Sequence, residues 1–330
     1  MPRLRAPQGP WVPLLGVMLL ASVVFTLISS EFLTTFNIYV ILSSAALLAV
    51  IGLSQLSVLS VGEFSLAVGG IGEFSAVIVG YLLVRRGVPL APALLAGLAV
   101  GTAAGFVNGV LVAKSGVSGF IVTLATGGAF AGASLAITET SPYTGLPHVF
   151  NSFGTGRLSF LPYCLGATLV VAVVVAVLYR SRPAGRRMLA VGGNAEAAEL
   201  SGLSKTRAII WAHSLSGLLA SIAGVIAMAQ LHEANPSAGT DWLIQSFAIP
   251  IIGGTALAGG SVSVGGVLVA AVILATINDG LILSDVDPFW VTLVEGLLIF
   301  VAVLLGRAQA WRLYGRALAR LGRLLPRTAP

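Results

Sequence analysis

The chain is 330 residues long, with 57% hydrophobic residues, 9% charged residues and a net charge of +6. A soluble domain carries roughly a quarter charged residues, so this composition excludes an ordinary soluble enzyme and makes the countable unit a spanning helix of about 20 apolar residues. The cations are not interleaved with aromatics as a nucleic-acid surface requires, and the single cysteine, Cys164, excludes a disulfide framework or a thiolate metal site and reads as packing.

Arg3 and Arg5 precede an apolar run from Trp11 to Ile28. It is too long for a signal-peptide core and no small-residue cleavage site follows, so an uncleaved first span is expected. Broken at polar and Pro/Gly punctuation, hydropathy predicts spans near 11–30, 38–59, 63–84, 90–113, 119–138, 160–179, 207–231, 242–260, 264–283 and 289–306. The expected fold is an all-α polytopic membrane protein of about ten transmembrane helices in a single domain, 1–306. With the N-terminus in the cytoplasm, Arg3, Arg5, Lys114, Arg180, Arg182, Arg186, Arg187, Lys205, Arg207 and the six arginines after 306 fall inside, against Arg85, Arg86 and Arg157 outside. That obeys the positive-inside rule and predicts that both termini are cytoplasmic. Segment 307–330 repeats arginine every three or four residues between leucines and reads as a basic amphipathic tail on the lipid of the inner leaflet.

Two distant stretches resemble each other: NGVLVAKSGVSGFIVTLATG, Asn108 to Gly127, and NDGLILSDVDPFWVTLVEG, Asn278 to Gly296. Ser115/Ser284, Val117/Val286, Phe120/Phe289, Val122/Val291, Thr123/Thr292, Leu124/Leu293 and Gly127/Gly296 share one offset, 169. The first copy turns through a cytoplasmic loop and the second through an external one, so inverted-topology repeats are expected, with halves near 38–138 and 207–306 around the cytoplasmic segment 180–206. A weaker echo joins Val68-Gly69-Gly70 to Ile252-Gly253-Gly254. Inverted repeats belong to transport folds, in which two halves rock around a pathway.

GEFS occurs twice, at Gly62 and Gly72, setting Glu63 and Glu73 in or at the edge of the third span. A carboxylate at membrane depth faces a cavity or a partner, and the glycines between the two acids permit a broken helix. Glu63 has a second reading, exposed at the cytoplasmic end of the span. Asn108 and Asn278 are expected to hydrogen-bond between helices, whereas Asp279 and Glu295 are pathway candidates. Phe120 and Phe289 stand at span starts, where an interfacial belt explains them as well as a pathway role does; with Thr123 and Thr292 they complete the list of candidates. No G-x-x-x-x-G-K-[ST], H-E-x-x-H or G-x-S-x-G occurs, which leaves no nucleotide cradle, metal site or nucleophile elbow to argue from.

The longest polar interruption is GGNAEAAELSGLSKTR, Gly192 to Arg207. Asn194 suits an N-cap, Glu196 and Glu199 favour the first turns, and Gly202 suits a stop, so a helix of about two turns is expected with Ala197, Ala198 and Leu200 as a small apolar face. Glu196-Ala197-Ala198, three residues, then Gly202 resembles the EAA-x-x-x-G pattern of permease subunits of bacterial ABC importers. The wider stretch GRRMLAVGGNAEAAELSGLSKTR, together with NGVLVAKSGVSGFIVTL, AGTDWLIQSFAIPIIGGTALAGGSVSVGGVLVAAVI and NDGLILSDVDPFWVTLVEGLLIFVAVLL, is similar to the ribose, xylose and arabinose-type monosaccharide permeases over about residues 40 to 306.

The resemblance implies that Gly192, Gly193, Asn194, Glu196, Ala197, Ala198, Glu199, Leu200 and Gly202 couple to a separate ATPase, which binds the ATP and Mg that this chain does not. It also implies an extracytoplasmic sugar-binding protein and a second permease, identical or homologous. Where that family reads I-D-L-S-V-G, this chain has Phe64-Ser65-Leu66-Ala67-Val68-Gly69, so Ser65 stands at the usual aspartate and Glu63 could supply a displaced carboxylate. The alternative function is an ion- or proton-coupled secondary transporter, with Glu63, Glu73, Asp279 and Glu295 as a relay.

Overall fold

The computed structural model describes residues 11–284 and, beyond them, 286, 290, 293, 296, 297 and 300. Phe289, Thr292 and Glu295, most of the tenth expected span and the tail 307–330 therefore lie outside the described residues.

The elements are α1 (Trp11–Ile28), α2 (Thr35–Leu59), α3 (Val68–Val84), α4 (Leu90–Ser115), α5 (Gly119–Thr138), α6 (His148–Thr155), the strands β1 (Arg157–Leu158) and β2 (Leu161–Pro162), α7 (Tyr163–Ser181), α8 (Pro183–Gly193), α9 (Ala195–Leu200), α10 (Lys205–Leu231), α11 (Trp242–Ile252) and α12 (Val264–Leu283). Among them α2, α4, α5, α7, α10 and α12 are long and apolar enough to cross a membrane, while α3, α11 and Met18–Ile28 of α1 are apolar but shorter. The molecule is an all-α polytopic membrane protein. Between the fifth and sixth expected spans, where only a connection is predicted, stand α6 and the antiparallel β1–β2 ribbon, and α7 starts at Tyr163 rather than near 160.

Two of the expected spans are cut short by local chemistry. The third starts at Val68 instead of 63 because side chains take the backbone donors that a helix would use: Leu66 N–H goes to Thr123 Oγ1 (3.0 Å) and Ala67 N–H to Ser65 Oγ (3.4 Å). The eighth stops at Ile252 instead of 260 because Gly254 turns the chain at φ +82° and the Thr255 N–H closes on the Pro250 carbonyl (2.8 Å). Both breaks are packed against other elements, as described below.

The core is built on α2 and α10, which are buried along most of their length, with α12 against α2. Their contacts are polar as well as apolar. Ser54 Oγ donates to the Ser216 carbonyl (2.9 Å), Gln230 Nε2 to the Ser43 carbonyl (2.9 Å) and Thr168 Oγ1 to the Ala46 carbonyl (3.0 Å), which ties α2 to α10 and α7.

Helix α4 lies along α10 by a different device. Gly97, Gly101, Gly105 and Gly109 recur every fourth residue on one face; Gly101 and Gly105 meet Gly217 and its neighbours, and Gly109 meets Ile210 and His213. Small residues at this spacing let two backbones close up where no hydrophobic effect drives association, because lipid is as apolar as leucine. The outward faces of α5 and α7, by contrast, expose Phe120, Ile121 and Leu124, and Leu169, Val170, Val173, Val174 and Val177, as lipid-facing helices do.

Candidate coupling and translocation site

The expected short helix is α9, and a further helix, α8, precedes it. Pro183 opens α8, where a missing N–H costs nothing. The chain breaks at Asn194, whose Oδ1 accepts the Ala197 N–H (2.9 Å) and caps α9. At the other end Gly202 takes φ +78°. Its N–H reaches the Glu199 carbonyl (2.9 Å) and that of Leu203 the Ala198 carbonyl (2.9 Å), the paired closure of a Schellman motif. Ser204 then caps α10 by accepting the Arg207 N–H (3.3 Å).

Six residues cannot hold a helix alone in water; the caps and one inward side chain, the buried Ala198, hold α9 in place. Of the expected apolar face, Ala198 is therefore internal packing, while Ala197, Glu196, Glu199 and Leu200 face out. Leu200 is 91% exposed.

The C-terminal end of α8 is seated on both broken spans at once. Gly260, at φ +77°, donates its N–H to the Ser60 carbonyl just after α2 (3.1 Å). Gly192 packs on that same hydrogen bond, so closely that a β-carbon there would strike Ser60 O and Gly260 N, and a β-carbon at Gly259 would strike Gly62 N and Gly192 O. Backbone meets backbone throughout this junction, so nothing in it can yield by changing a rotamer. The sequence reading missed Ser60, Gly62, Gly259 and Gly260; the doubled glycine in ALAGGSVSVGG was the available signal.

The pathway candidates fall into separate groups. Glu63, Ser65 and Thr123 are brought together: Thr123 Oγ1 holds Leu66, Ser65 is buried in the same break, and Glu63 Oε2 lies 2.8 Å from where a β-carbon of Gly119 would stand. Glu63 also borders a polar chamber of about 400 Å³ with Ser118, Lys205 and Thr206. It lies outside the membrane-spanning helices, and burial raises its pKa, with the Lys205 charge opposing. Phe120 is exposed on α5.

Glu73 is elsewhere, buried within α3, and its Oε2 accepts the Gly239 N–H (3.0 Å) from the segment between α10 and α11. That segment dips in to meet the start of α3: a β-carbon at Gly69 would strike Gly239 O, and one at Gly239 would strike Gly69 O. Asp279, half-buried near the end of α12, accepts from Asn37 Nδ2 (2.7 Å) at the start of α2. Asn278 is half-buried beside it.

Asn108 departs from expectation. Both of its amide atoms are fully buried with no hydrogen-bond partner among the described residues, because α4 at that level is pressed onto α10 by Gly105 and Gly109 and presents backbone instead. Gln55 and His213, which the sequence reading passed over, are also buried with side-chain atoms left unpaired among the described residues.

A bundle of apolar helices, two of them shorter than expected, with a short capped helix facing out fits a membrane permease. The model of the family "branched-chain amino acid transport system / permease component" matches residues 28–303, and the chain belongs to that family. It is 35% identical over 300 residues to the ribose import permease of Bacillus subtilis, covering 90% of this chain and 92% of the relative. It is 34% identical over 295 residues to the ribose import permease of Escherichia coli K12, covering 88% and 91%, and 33% identical over 301 residues to the fructose import permease of Rhizobium meliloti, covering 88% and 83%. No solved structure matches.

Proposed function

We propose that this chain is the transmembrane subunit of a binding-protein-dependent ABC importer that moves a pentose-like monosaccharide or a related polyol across the bacterial inner membrane. ATP and Mg²⁺ belong to separate ATPase subunits, an extracytoplasmic sugar-binding protein delivers the ligand, and a second copy or a homologous permease completes the path. The observation that carries this reading is α9: capped at both ends and anchored by Ala198, it holds Glu196, Glu199 and Leu200 out to solvent. The relatives, which are import permeases for ribose and fructose, point the same way.

Closure of the ATPases displaces α9 and with it α8, whose glycine end bears on Ser60 and on Gly259–Gly260. Movement thus reaches the breaks before α3 and after α11 together. The nucleotide shifts the equilibrium only as far as the ATPases bind the two arrangements unequally.

The domain reading, 1–306 with ten spans in inverted halves and both termini cytoplasmic, is part of the proposal. Support for the repeats comes from the reciprocal contact of Gly69 and Gly239. These are 170 positions apart, as are Asn108 and Asn278 and within one residue of the 169 shared by the other repeat pairs, so near-equivalent positions meet as they do beside a pseudo-two-fold axis. The echo between 68–70 and 252–254 is out of that register and pairs a helix start with a helix end.

Glu196→Gln with Glu199→Gln and Leu200→Ala is expected to lower ligand-stimulated ATPase activity of the reconstituted complex roughly 5- to 150-fold, the range of ordinary coupling energies, with membrane insertion unchanged. Unaltered stimulation would refute the role of α9. The alternative, an ion- or proton-coupled carrier, is disfavoured because Glu73 is bonded to Gly239 and Asp279 to Asn37, on different elements; uptake driven by a proton gradient in proteoliposomes of this chain alone would restore it.

A further inference from the structure

We propose that the wedge between α8 and the start of α10 is a binding site for one anionic phospholipid, with Arg187 and Arg207 on its phosphate and Trp211 against its glycerol and acyl region. A cavity of about 390 Å³ opens there, lined by Arg187, Ser204 and Arg207 at its polar side and by Met188, Val191 and Trp211 at its apolar side. No carboxylate lines it among the described residues, so two guanidinium groups face one space without a neutralising partner. Arginine's planar fork suits a phosphate oxygen pair, and the Ser204 hydroxyl adds a donor beside them.

The apolar half singles out lipid among anions. Every residue of α10 from Ala208 to Gln230 is buried or half-buried except Trp211, which is 65% exposed. It lies four residues beyond Arg207 on the same helix, about 6 Å farther into the membrane at 1.5 Å per residue. Indole rings favour that interfacial depth, and basic pockets between helices at the membrane face take acidic head groups. A free anion would satisfy the arginines and leave Trp211 uncovered. The chain's own segment 307–330 carries six arginines, the wrong charge for this space. The site adjoins Gly202 and Leu203, which close α9, so a bound lipid would brace the coupling helix from the membrane side.

The test uses the full-length permease purified in detergent and incubated with dioleoyl phosphatidylglycerol or dioleoyl phosphatidylcholine, with retained lipid counted by native mass spectrometry. Wild type is expected to retain the phosphatidylglycerol preferentially. In Arg187→Gln/Arg207→Gln, retention should weaken about 30-fold, from about 1 kcal/mol per cation near an anionic surface and tenfold per 1.4 kcal/mol. Arg180→Gln/Arg182→Gln makes the same charge change outside the cavity and should retain the lipid. Equal loss in both pairs would reduce the effect to bulk surface charge and overturn the site, as would no loss in the first pair. Inorganic phosphate raising the melting temperature as much as phosphatidylglycerol does would assign the arginines to a free anion and overturn the lipid reading.

Discussion

The tetrapeptide Gly-Glu-Phe-Ser occurs at 62–65 and again at 72–75, and the two copies have opposite uses. In the first, Gly62 turns at φ +79°, Glu63 is half-buried beside Gly119 near Lys205, Phe64 stacks on Phe247 (5.9 Å between centroids) and Ser65 caps a backbone N–H of the break. In the second, all four residues are helical. Gly72 admits the Trp242 ring and the backbone of α10, Glu73 is 3% exposed on the Gly239 N–H, Phe74 lies against Phe130 (5.6 Å), and Ser75 bonds back to the Ile71 carbonyl (2.7 Å). Ten residues of chain separate a half-buried polar edge from a packed pivot. The difference lies at the acid, because the segment carrying Gly239 closes over Glu73, whereas Glu63 borders the chamber beside Lys205.

The comparison breaks most sharply at Gly239. A methyl group there meets the carbonyl of Gly69, which belongs to a helix and has no rotamer to change. Overpacking of a core costs about 1–3 kcal/mol and occasionally more, so Gly239→Ala should lower the melting temperature in detergent more than Glu63→Gln does. Survival of wild-type stability would mean that the dip between α10 and α11 is not packed as described.

The next largest effect belongs to Glu73. Glu73→Ala leaves a buried N–H at Gly239 with no acceptor, at roughly 1–3 kcal/mol, whereas Glu73→Gln keeps an acceptor oxygen and should recover most of that loss. Equal losses in thermal unfolding for the two variants would show that the carboxylate charge matters and the hydrogen bond does not.

What could be read from the residues alone follows the range of the interactions involved. The cap at Asn194 and the stop at Gly202 depend on atoms a few positions away, and α9 was legible for that reason. Apolar runs announced the long helices just as directly, although the GxxxG repeat of α4 went unread while its partner glycine on α10 was unknown. The break after Gly62 needed Thr123, and the burial of Glu73 needed Gly239, 166 positions on. No local pattern encodes which glycine will sit under which carbonyl. The same holds for the junction of Gly192 with Ser60 and Gly260, which joins three distant stretches.

The smallest effect, and the one that tells a polar edge from a pivot most directly, is the pH dependence at Glu63. Burial raises its pKa above the ordinary carboxylate value and the Lys205 charge draws it back in part. A raised acid binds its proton more tightly in the folded than in the unfolded protein, so its contribution to stability is fully present below the unfolded pKa and is lost as pH rises through the folded one. Wild type should therefore lose melting temperature relative to Glu63→Gln as pH rises from about 4, the ordinary carboxylate value, through the raised one. The half-exposure of the group keeps the difference smaller than that at Glu73, because solvent screens the charge. Parallel melting curves across that range would place Glu63 fully in solvent, and the chamber beside Lys205 would then have no acidic wall.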